Sequence, residues 1–274
     1  MPRLSYAETV LDASARPRQY ARVSIEIFNA AEISKLRHAG AIAAATLMHV
    51  GERLRAGITT ADIDTWVRED TARRGAKPSQ LGYHGFPHAV CVSRNQVVCH
   101  GMPSAQERLE EGDIVNVDVT SHIAGFHGDC SATFTIGKVS AEAERLVNAA
   151  RRARDAGIAV VRAGAHLGDV GAAITELARS EGFSVVTNYG GHGIGRKMHT
   201  DPHVPHVAAK GSGMRLRAGM AFTIEPMINV GAAAVTLLPD KWTVVTADGS
   251  LSAQFEHTVI VTAEGCEVTT SNSL

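Results

Sequence analysis

The spacing of apolar residues predicts two pairs of amphipathic helices. In four segments apolar side chains recur every three or four positions, so each segment would present one apolar stripe as a helix. These segments are residues 30–52, 60–74, 141–161 and 168–181. A glycine follows each pair, Gly75 after the first and Gly182 after the second, and glycine commonly ends a helix.

Strand-like sequence follows each helix pair. Four short stretches are rich in apolar and β-branched residues, which is typical of strands. They are residues 89–93, 114–120, 221–225 and 255–261. The order of helix, helix and strands therefore occurs twice. This order predicts an α+β fold with two pseudo-symmetric halves, whose helices pack on a curved, mostly antiparallel sheet.

One constant offset of 107 residues relates the two halves. The matched pairs are Gly57 and Gly164, Asp62 and Asp169, Gly75 and Gly182, Leu109 and Leu216, Gly112 and Gly219, and Asp118 and Glu225. The last pair keeps a carboxylate. A fixed shift over so long a stretch indicates two copies of one unit. We therefore predict a single domain over residues 24–270, preceded by an N-terminal extension of residues 1–23.

Composition and charge exclude several functional classes. The formal net charge is −1, so electrostatics indicates neither a nucleic-acid nor a membrane partner. The first residues lack the apolar core of a signal peptide, and no apolar run approaches the ~18 residues of a membrane span. The four cysteines form no C-x-x-C pair, which favours reduced thiols. We expect a cytoplasmic enzyme, with a monomer as the simplest assembly.

A short turn brings two aspartates together. The residues between Asp118 and Asp129 read as a β-hairpin, and a turn centred between Ile123 and Ala124 would place the two aspartates directly opposite each other. Cross-strand Cβ atoms are about 4.5–5.5 Å apart. Two ionised carboxylates at that distance repel, so either one holds a proton or a cation lies between them. An aspartyl dyad and a metal site are both consistent with this hairpin.

The second half adds two carboxylates and a histidine. Glu225 and Glu256 lie within strand-forming sequence, where a buried carboxylate needs a partner. His192 lies in a glycine-rich stretch that lets the backbone approach a bound group closely. Four carboxylates with one imidazole suit a pair of divalent transition ions better than a zinc finger or a calcium site. Two such ions typically lie about 3.5–4 Å apart.

Over residues 25–263 the sequence resembles the type I methionine aminopeptidases, which belong to the pita-bread metallopeptidases. The motifs are Tyr-His-Gly-Phe-Pro at 83–87, Gly-Asp-Ile-Val-Asn-Val-Asp at 112–118, Gly-Gly-His-Gly-Ile-Gly-Arg at 190–196, Thr-Ile-Glu-Pro at 223–226 and Phe-Glu-His-Thr at 255–258. The resemblance implies a pita-bread fold and removal of the initiator methionine from nascent polypeptides by two-metal-activated water. It also implies a preference for a small second residue and a transient location near the ribosome.

The resemblance assigns a role to each site residue. The implied metal ligands are Asp118, Asp129, His192, Glu225 and Glu256. Asp129 and Glu256 would bridge both ions, His192 and Glu225 would complete one, and Asp118 the other. Glu225 would also transfer protons. His100 and His199 are the implied catalytic groups that contact the substrate. The ions themselves are open, since Co, Mn, Fe, Ni and Zn all suit such a set.

The resemblance also implies a methionine pocket and a second cation. Its substrate-binding residues would be His84 at the mouth and Tyr83, Phe86, Cys91, Met198 and Trp242 in the wall. Met198 stands where the family usually has an aromatic residue. A monovalent cation is expected near Asn95, Val97 and Ser252. Pro202 and Pro205 argue against a helix in the following histidine-rich segment, and we expect His203 and His206 to be ordinary surface-loop residues.

Two alternatives remain from sequence alone. An X-Pro aminopeptidase of the same fold would share the metal ligands, but such enzymes generally carry a large extra N-terminal domain, and only about 23 residues precede the repeat here. A non-catalytic binding module on the same fold is the other alternative. All five ligand positions are filled, which favours an enzyme. Methionine release from a short peptide would distinguish the three.

Overall fold

The computed structural model describes residues 25–271. The extension predicted for residues 1–23 lies outside the described residues. Within them, the helices are α1 Ala30–Gly51, α2 Thr60–Arg73, α3 Ala141–Ala159 and α4 Leu167–Ser180, with a short 3₁₀ turn at Tyr83–Gly85. All four predicted helices are present, and their ends lie within two residues of the predicted ones. None of these helices combines the length and the apolar character that crossing a membrane requires.

All strand pairs in the described part of the chain are antiparallel. The strands are β1 Lys77–Pro78, β2 Cys91–Arg94, β3 Val97–Cys99, β4 Ile114–Ile123, β5 Phe126–Thr135, β6 Ser184–Val185, β7 Gly191–Gly193, β8 Thr200–Val204, β9 Ala221–Ile224, β10 Met227–Asn229, β11 Val235–Leu237, β12 Val244–Thr246, β13 Ser252–Gln254, β14 Glu256–Val261 and β15 Cys266–Val268. The main sheet has the order β1-β4-β5-β14-β9-β7-β8, with β2 also paired to β4 and β15 to β14. The predicted α+β class is confirmed.

Several residues related by the 107-residue offset have the same backbone conformation and hydrogen bonds in the two halves. Gly57 and Gly164 both have φ near +90°, and each donates its N–H to a leucine carbonyl at 2.8 Å. In both halves, the third residue of the helix that follows is an aspartate. Asp62 accepts the N–H of Thr59 at 2.7 Å, and Asp169 accepts that of its own capping residue at 2.8 Å. The same local hydrogen bonds therefore start α2 and α4.

The hairpin between β4 and β5 differs from the predicted register. Ala124 and Gly125 form its turn with φ of +52° and +80°, as a two-residue hairpin loop with positive φ at both positions requires. Asp118 consequently pairs with Ser131, not with Asp129, so the prediction that the two aspartates are directly opposite is wrong by two residues. A shift of two residues keeps the side chains on the same face. Both carboxylates therefore still face the same side of the sheet.

The helices pack on the sheet through one large apolar cluster. Leu47 of α1, Leu146 of α3 and Ile174 of α4 join strand residues such as Val117 and Phe222, and each of the five is at most 1% exposed. Fully burying side chains of this size contributes about 1.5–3 kcal/mol each. The cluster thus fixes the strands on which the polar residues described below are carried.

Helix α1 approaches β5 through two glycines. A Cβ atom at Gly128 would lie 2.3 Å from the backbone nitrogen of Gly40. Because the obstructing atoms belong to the helix backbone, a side-chain rotation cannot relieve this contact. Gly128 immediately precedes Asp129, and successive strand residues point to opposite faces. Helix α1 therefore covers the face opposite to the Asp129 side chain.

Replacing Gly128 with Ala should lower the free energy of unfolding by about 2–3 kcal/mol, because the added methyl group overpacks the contact between α1 and β5. Gly125→Ala serves as the control, since open space surrounds that turn position and only its positive φ is strained. We expect a loss of about 1 kcal/mol there. Urea unfolding measures both values. Equal losses in the two variants would contradict the close approach of the helix.

Candidate metal centre

Four strands of the main sheet, and the residue immediately after a fifth, each contribute one ionisable side chain to a single cluster. In sheet order these are Asp118 on β4, Asp129 on β5, Glu256 on β14, Glu225 immediately after β9, and His192 on β7. Strand pairing thus brings together residues that are far apart in sequence. All five predicted ligands meet in one place.

The distances within the cluster are short. His192 Nε2 lies 3.7 Å from Asp129 Oδ2 and 3.6 Å from Glu225 Oε1. Ligand atoms of Asp129, His192 and Glu256 all lie within 4.8 Å of one another. The carboxyl groups of Asp118 and Asp129 lie close enough for each to influence the pKa of the other. An ion placed among the ligand atoms of Asp129, His192 and Glu256 could therefore contact all three side chains.

Hydrogen bonds fix the orientation of the imidazole. His192 Nδ1 lies 3.1 Å from the carbonyl oxygen of Gly193. A carbonyl only accepts, so Nδ1 carries the hydrogen and the lone pair is on Nε2, which faces the carboxylates. The backbone N–H of His192 donates to Thr223 Oγ1 at 2.9 Å. A ring held through its other nitrogen is the usual arrangement of a metal-binding histidine.

The carboxylates differ in the hydrogen bonds that they accept from the protein. Thr120 donates to Asp129 Oδ1 at 2.7 Å, and Thr223 donates to Glu225 Oε1 at 2.6 Å. Glu256 is only 2% exposed, and its Oε1 atom has no hydrogen-bond partner among the described residues. A buried carboxylate oxygen without a partner is costly. A cation at this position would remove that cost.

Burial raises the pKa of all four acids, and neighbouring carboxylates raise the pKa of Asp118, Glu225 and Glu256 further. Desolvation raises the pKa of Asp129 to about 7 and that of Glu225 to about 8. The pKa values of Asp118 and Glu256 are raised well above their usual range by burial and then by the neighbouring carboxylates. Burial lowers the pKa of His192 to about 4, which keeps its imidazole neutral. The set therefore suits divalent cations, which would stabilise the ionised acids.

Both predicted catalytic histidines lie next to the cluster. The ring of His199 is 4.0 Å from that of His192 and 5.0 Å from that of Tyr83. His100 has a left-handed backbone, with φ of +54°, and its ring contacts Tyr189. Surrounding protein atoms lower the pKa of both His100 and His199. Each can therefore act as a neutral hydrogen-bond donor.

Some of the predicted substrate residues border a cavity of about 410 Å³. Its lining residues are Tyr83, His84, His127, Arg196, Lys197, Met198 and His199. Sequence reasoning did not identify His127, Arg196 or Lys197 as site residues. For His127 a signal was available, because it lies two positions before Asp129 and therefore on the same face of β5.

The remaining predicted pocket residues do not line that cavity. Phe86 and Trp242 contact each other edge to face, with ring centroids 5.0 Å apart. Cys91 is buried on β2, paired with Asp118 of β4. Cys91 therefore lies beside the cluster, and Phe86 and Trp242 form an aromatic pair.

Two of the three residues expected near a monovalent cation are in direct contact. Ser252 donates its backbone N–H to the carbonyl oxygen of Asn95 at 2.9 Å, and Val97 begins the adjacent strand β3. The buried Ser252 hydroxyl has no hydrogen-bond partner in the described part of the chain. This arrangement is compatible with a cation, and the cation stays a prediction.

The expectation that His203 and His206 are surface-loop residues is confirmed only for the exposure of His203. His203 is exposed, but it lies on strand β8, opposite His192, and not in a loop. His206 is buried, with 2% exposure, and its Nε2 accepts the backbone N–H of Glu225 at 3.3 Å. After β8 the chain turns against α4, where Thr175 donates to the carbonyl of His206. This tertiary contact, which local sequence does not indicate, buries the ring.

Comparison with known proteins identifies the family. The sequence model described as metallopeptidase family M24 matches residues 34–263, which is most of the chain. This chain belongs to metallopeptidase family M24. A methionine aminopeptidase A of Synechocystis is 48% identical over 247 residues, covering 90% of this chain and 98% of that protein.

Solved structures of similar fold agree with this assignment. A methionine aminopeptidase from Rickettsia prowazekii has a TM-score of 0.89 and 42% identity, covering 90% of this chain and all of that one. The predicted pita-bread fold is thereby confirmed. The prolidase from Pyrococcus furiosus has a TM-score of 0.73 but only 19% identity, and the match covers 66% of that chain. That likeness shows the shared fold alone, so the X-Pro alternative is not favoured.

Replacing Glu256 with Gln should abolish the rise in melting temperature that saturating Mn²⁺ gives the wild-type protein. A ligand at 100 times its Kd stabilises a fold by about 2.7 kcal/mol. The metal-free variant should be at least as stable as the metal-free wild type, because one buried acid is replaced by a neutral amide. Thermal unfolding in EDTA and in Mn²⁺ measures both effects.

The exposed Glu264 provides the matched control. Glu264→Gln should keep the wild-type response to Mn²⁺. A Glu256→Gln variant that Mn²⁺ stabilises as strongly as the wild type would contradict a metal centre at this cluster.

Proposed function

We propose that this chain removes the N-terminal methionine from polypeptides, including the initiator methionine of newly made proteins. The observation that carries the proposal is the convergence of Asp129, Glu225 and Glu256 on His192, in a chain that is 48% identical to a methionine aminopeptidase over 90% of its length. The filled ligand positions argue against a non-catalytic module.

The strand order supports two divalent ions. Asp129 and Glu256 lie on the middle strands of the row, whereas Asp118 lies at one end and Glu225 and His192 at the other. Asp129 and Glu256 would therefore help to hold both ions, and the residues at each end would help to hold one. When bound, such ions polarise the peptide carbonyl and acidify the attacking water. Co, Mn, Fe, Ni and Zn all suit these ligands.

Glu225 is suited to carry the proton. Its pKa is raised by burial, and Thr223 and Gln254 hold its two carboxylate oxygens. In the proposed reaction it takes a proton from the attacking water and delivers it to the leaving amine. Its position beside His192 places this transfer within the cluster.

The two neutral histidines hold the reacting peptide. His199, between the cluster and the cavity, donates a hydrogen bond to the oxygen that gains charge in the transition state. His100, beside Tyr189, hydrogen-bonds the scissile amide. Both groups act on the substrate and neither belongs to the set of proposed metal ligands.

The methionine side chain of the substrate would pack against apolar side chains near the cluster. Phe86, Trp242, Cys91 and Tyr83 offer aromatic and sulfur contacts, which suit a thioether. Met198 is buried where an aromatic residue is usual in the family, and it keeps the wall apolar with a more flexible side chain. His84 stands exposed at the mouth of the cavity, which suits contact with the following residues of the peptide.

The proposal also covers the substrates, the cellular compartment and the assembly of the protein. Substrates are nascent polypeptides met near the ribosome, a small second residue is preferred, and the protein acts as a cytoplasmic monomer. All four cysteines, which lie among the described residues, are free, which is consistent with a reducing compartment.

Methionine release tests the proposed activity directly. The purified chain supplied with Co²⁺ or Mn²⁺ should release methionine from a Met-Ala-Ser peptide, and should leave Leu-Ala-Ser and Ala-Pro-Ser largely uncleaved. Released amino acids are measured by chromatography, and EDTA should stop the reaction. Cleavage of Ala-Pro-Ser in preference to Met-Ala-Ser would overturn the proposal.

Replacing His100 or His199 with Ala should lower kcat by about 10²–10³-fold, the usual effect of removing one transition-state donor. Bound metal, measured by elemental analysis of the purified variants, should stay at the wild-type level. His203→Ala, an exposed neighbour on β8, should keep wild-type turnover. Loss of metal from the His100 or His199 variant would refute their assignment to the substrate.

A further inference from the structure

Two buried glutamines make the same contact with the two acids that the 107-residue offset relates. Gln80 Nε2 lies 2.9 Å from the main-chain oxygen of Asp118 and 3.3 Å from its Oδ1. Gln254 Nε2 lies 3.2 Å from both the main-chain oxygen of Glu225 and its Oε2. Each amide therefore donates to the backbone and to the carboxylate of one residue, with one hydrogen for each acceptor.

The two glutamines are not themselves related by the offset. Gln80 precedes the 3₁₀ turn in the first half, and the corresponding position in the second half is Thr187. Gln254 ends β13 instead. Two different elements thus supply the same donor pattern to two equivalent carboxylates. The sequence repeat does not explain this agreement. A need of both carboxylates for the same pair of hydrogen-bond donors does explain it.

Gln80 also closes a gap at the edge of the main sheet. The pairing of β1 with β4 ends at Ser121, and the pairing of β2 with β4 ends at Asp118. In the gap, Gln80 Oε1 accepts the backbone N–H of Thr120 at 3.1 Å. Because that N–H can only donate, the oxygen of the amide must face it and the NH₂ group must face Asp118. The side-chain amide thereby takes the place of a strand peptide group.

Both glutamine amides are buried, so their hydrogen bonds restrict the orientation of the two carboxylates. Gln80 is 6% exposed and Gln254 is 2% exposed, so water does not replace an amide that is lost. The backbone and the carboxylate of each acid are held together, which restricts the side chain to one orientation. Asp118 lies at one end of the row of ligands and Glu225 lies toward the other.

We propose that Gln80 and Gln254 are positioning residues, each of which sets the affinity of one metal position. Gln80 holds the position completed by Asp118, and Gln254 holds the position completed by Glu225. This inference rests on the two-metal centre of the proposed function. It predicts that the loss of one glutamine weakens one binding step and spares the other.

Calorimetric titration of Co²⁺ into metal-free Gln80→Met and Gln254→Met proteins tests the proposal. Methionine has a similar length and no donor. The wild type should show two binding steps. We expect Gln80→Met to weaken one step by about 10–100-fold, and Gln254→Met to weaken the other by a similar factor. The visible absorption of the bound Co²⁺ should change at the weakened step only.

Additional variants separate positioning from a general effect on folding. Gln80→Asn keeps the amide on a side chain one methylene shorter, and should give a smaller loss at the same step. Thr71→Val replaces a buried hydroxyl that has no hydrogen-bond partner among the described residues, and should leave both steps unchanged. A merely structural role would lower the melting temperature of the metal-free protein and weaken both steps together.

The outcomes distinguish this inference from the proposed function. Wild-type Co²⁺ binding in both glutamine variants, or weakening of the same step by both, would overturn the positioning role alone. A single Co²⁺ step in the wild type would overturn the assignment of one glutamine to each position. Absence of Co²⁺ binding in the wild type would overturn the metal centre together with the positioning role.

Discussion

Four carboxyl groups share one buried space, and their mutual repulsion is the constraint on which the rest of this structure depends. Burial raises the pKa of every one of them, and Glu256 keeps an oxygen with no protein partner. Such a cluster is compatible with a folded interior when protons or cations balance the charge. Cations bound at this cluster would therefore serve both the stability of the fold and the proposed chemistry.

The sheet meets this constraint by placing one group on, or immediately after, each of five neighbouring strands. Alternation along β5 directs Asp129 into the cluster and Gly128 toward helix α1, so the helix can pack within van der Waals distance behind the charged face. The apolar cluster beneath the helices then fixes the strands, and through them the separations among the ligands. A rigid layer on one face thus supports a polar site on the other.

An outer layer of neutral polar groups orients the ligands. Threonine hydroxyls hold Asp129 and Glu225, a backbone carbonyl orients His192, and glutamine amides hold the two acids related by the offset. Neutral donors can stabilise a carboxylate without adding charge that would compete with a cation. His206 completes this layer from a segment that sequence reasoning assigned to the surface.

The sequence by itself determined the features that depend on local interactions. Helical periodicity and end signals located all four helices, the repeat offset located equivalent turns, and the motifs located the five side chains that form the cluster. Only the tertiary structure decided the hairpin register, since Ala124 and Gly125 can form a positive-φ turn one position later than predicted. It also decided the burial of His206 and the place of Gln80 at a gap in the sheet. The burial of His206 and the place of Gln80 depend on contacts between segments distant in the chain, which local periodicity does not encode.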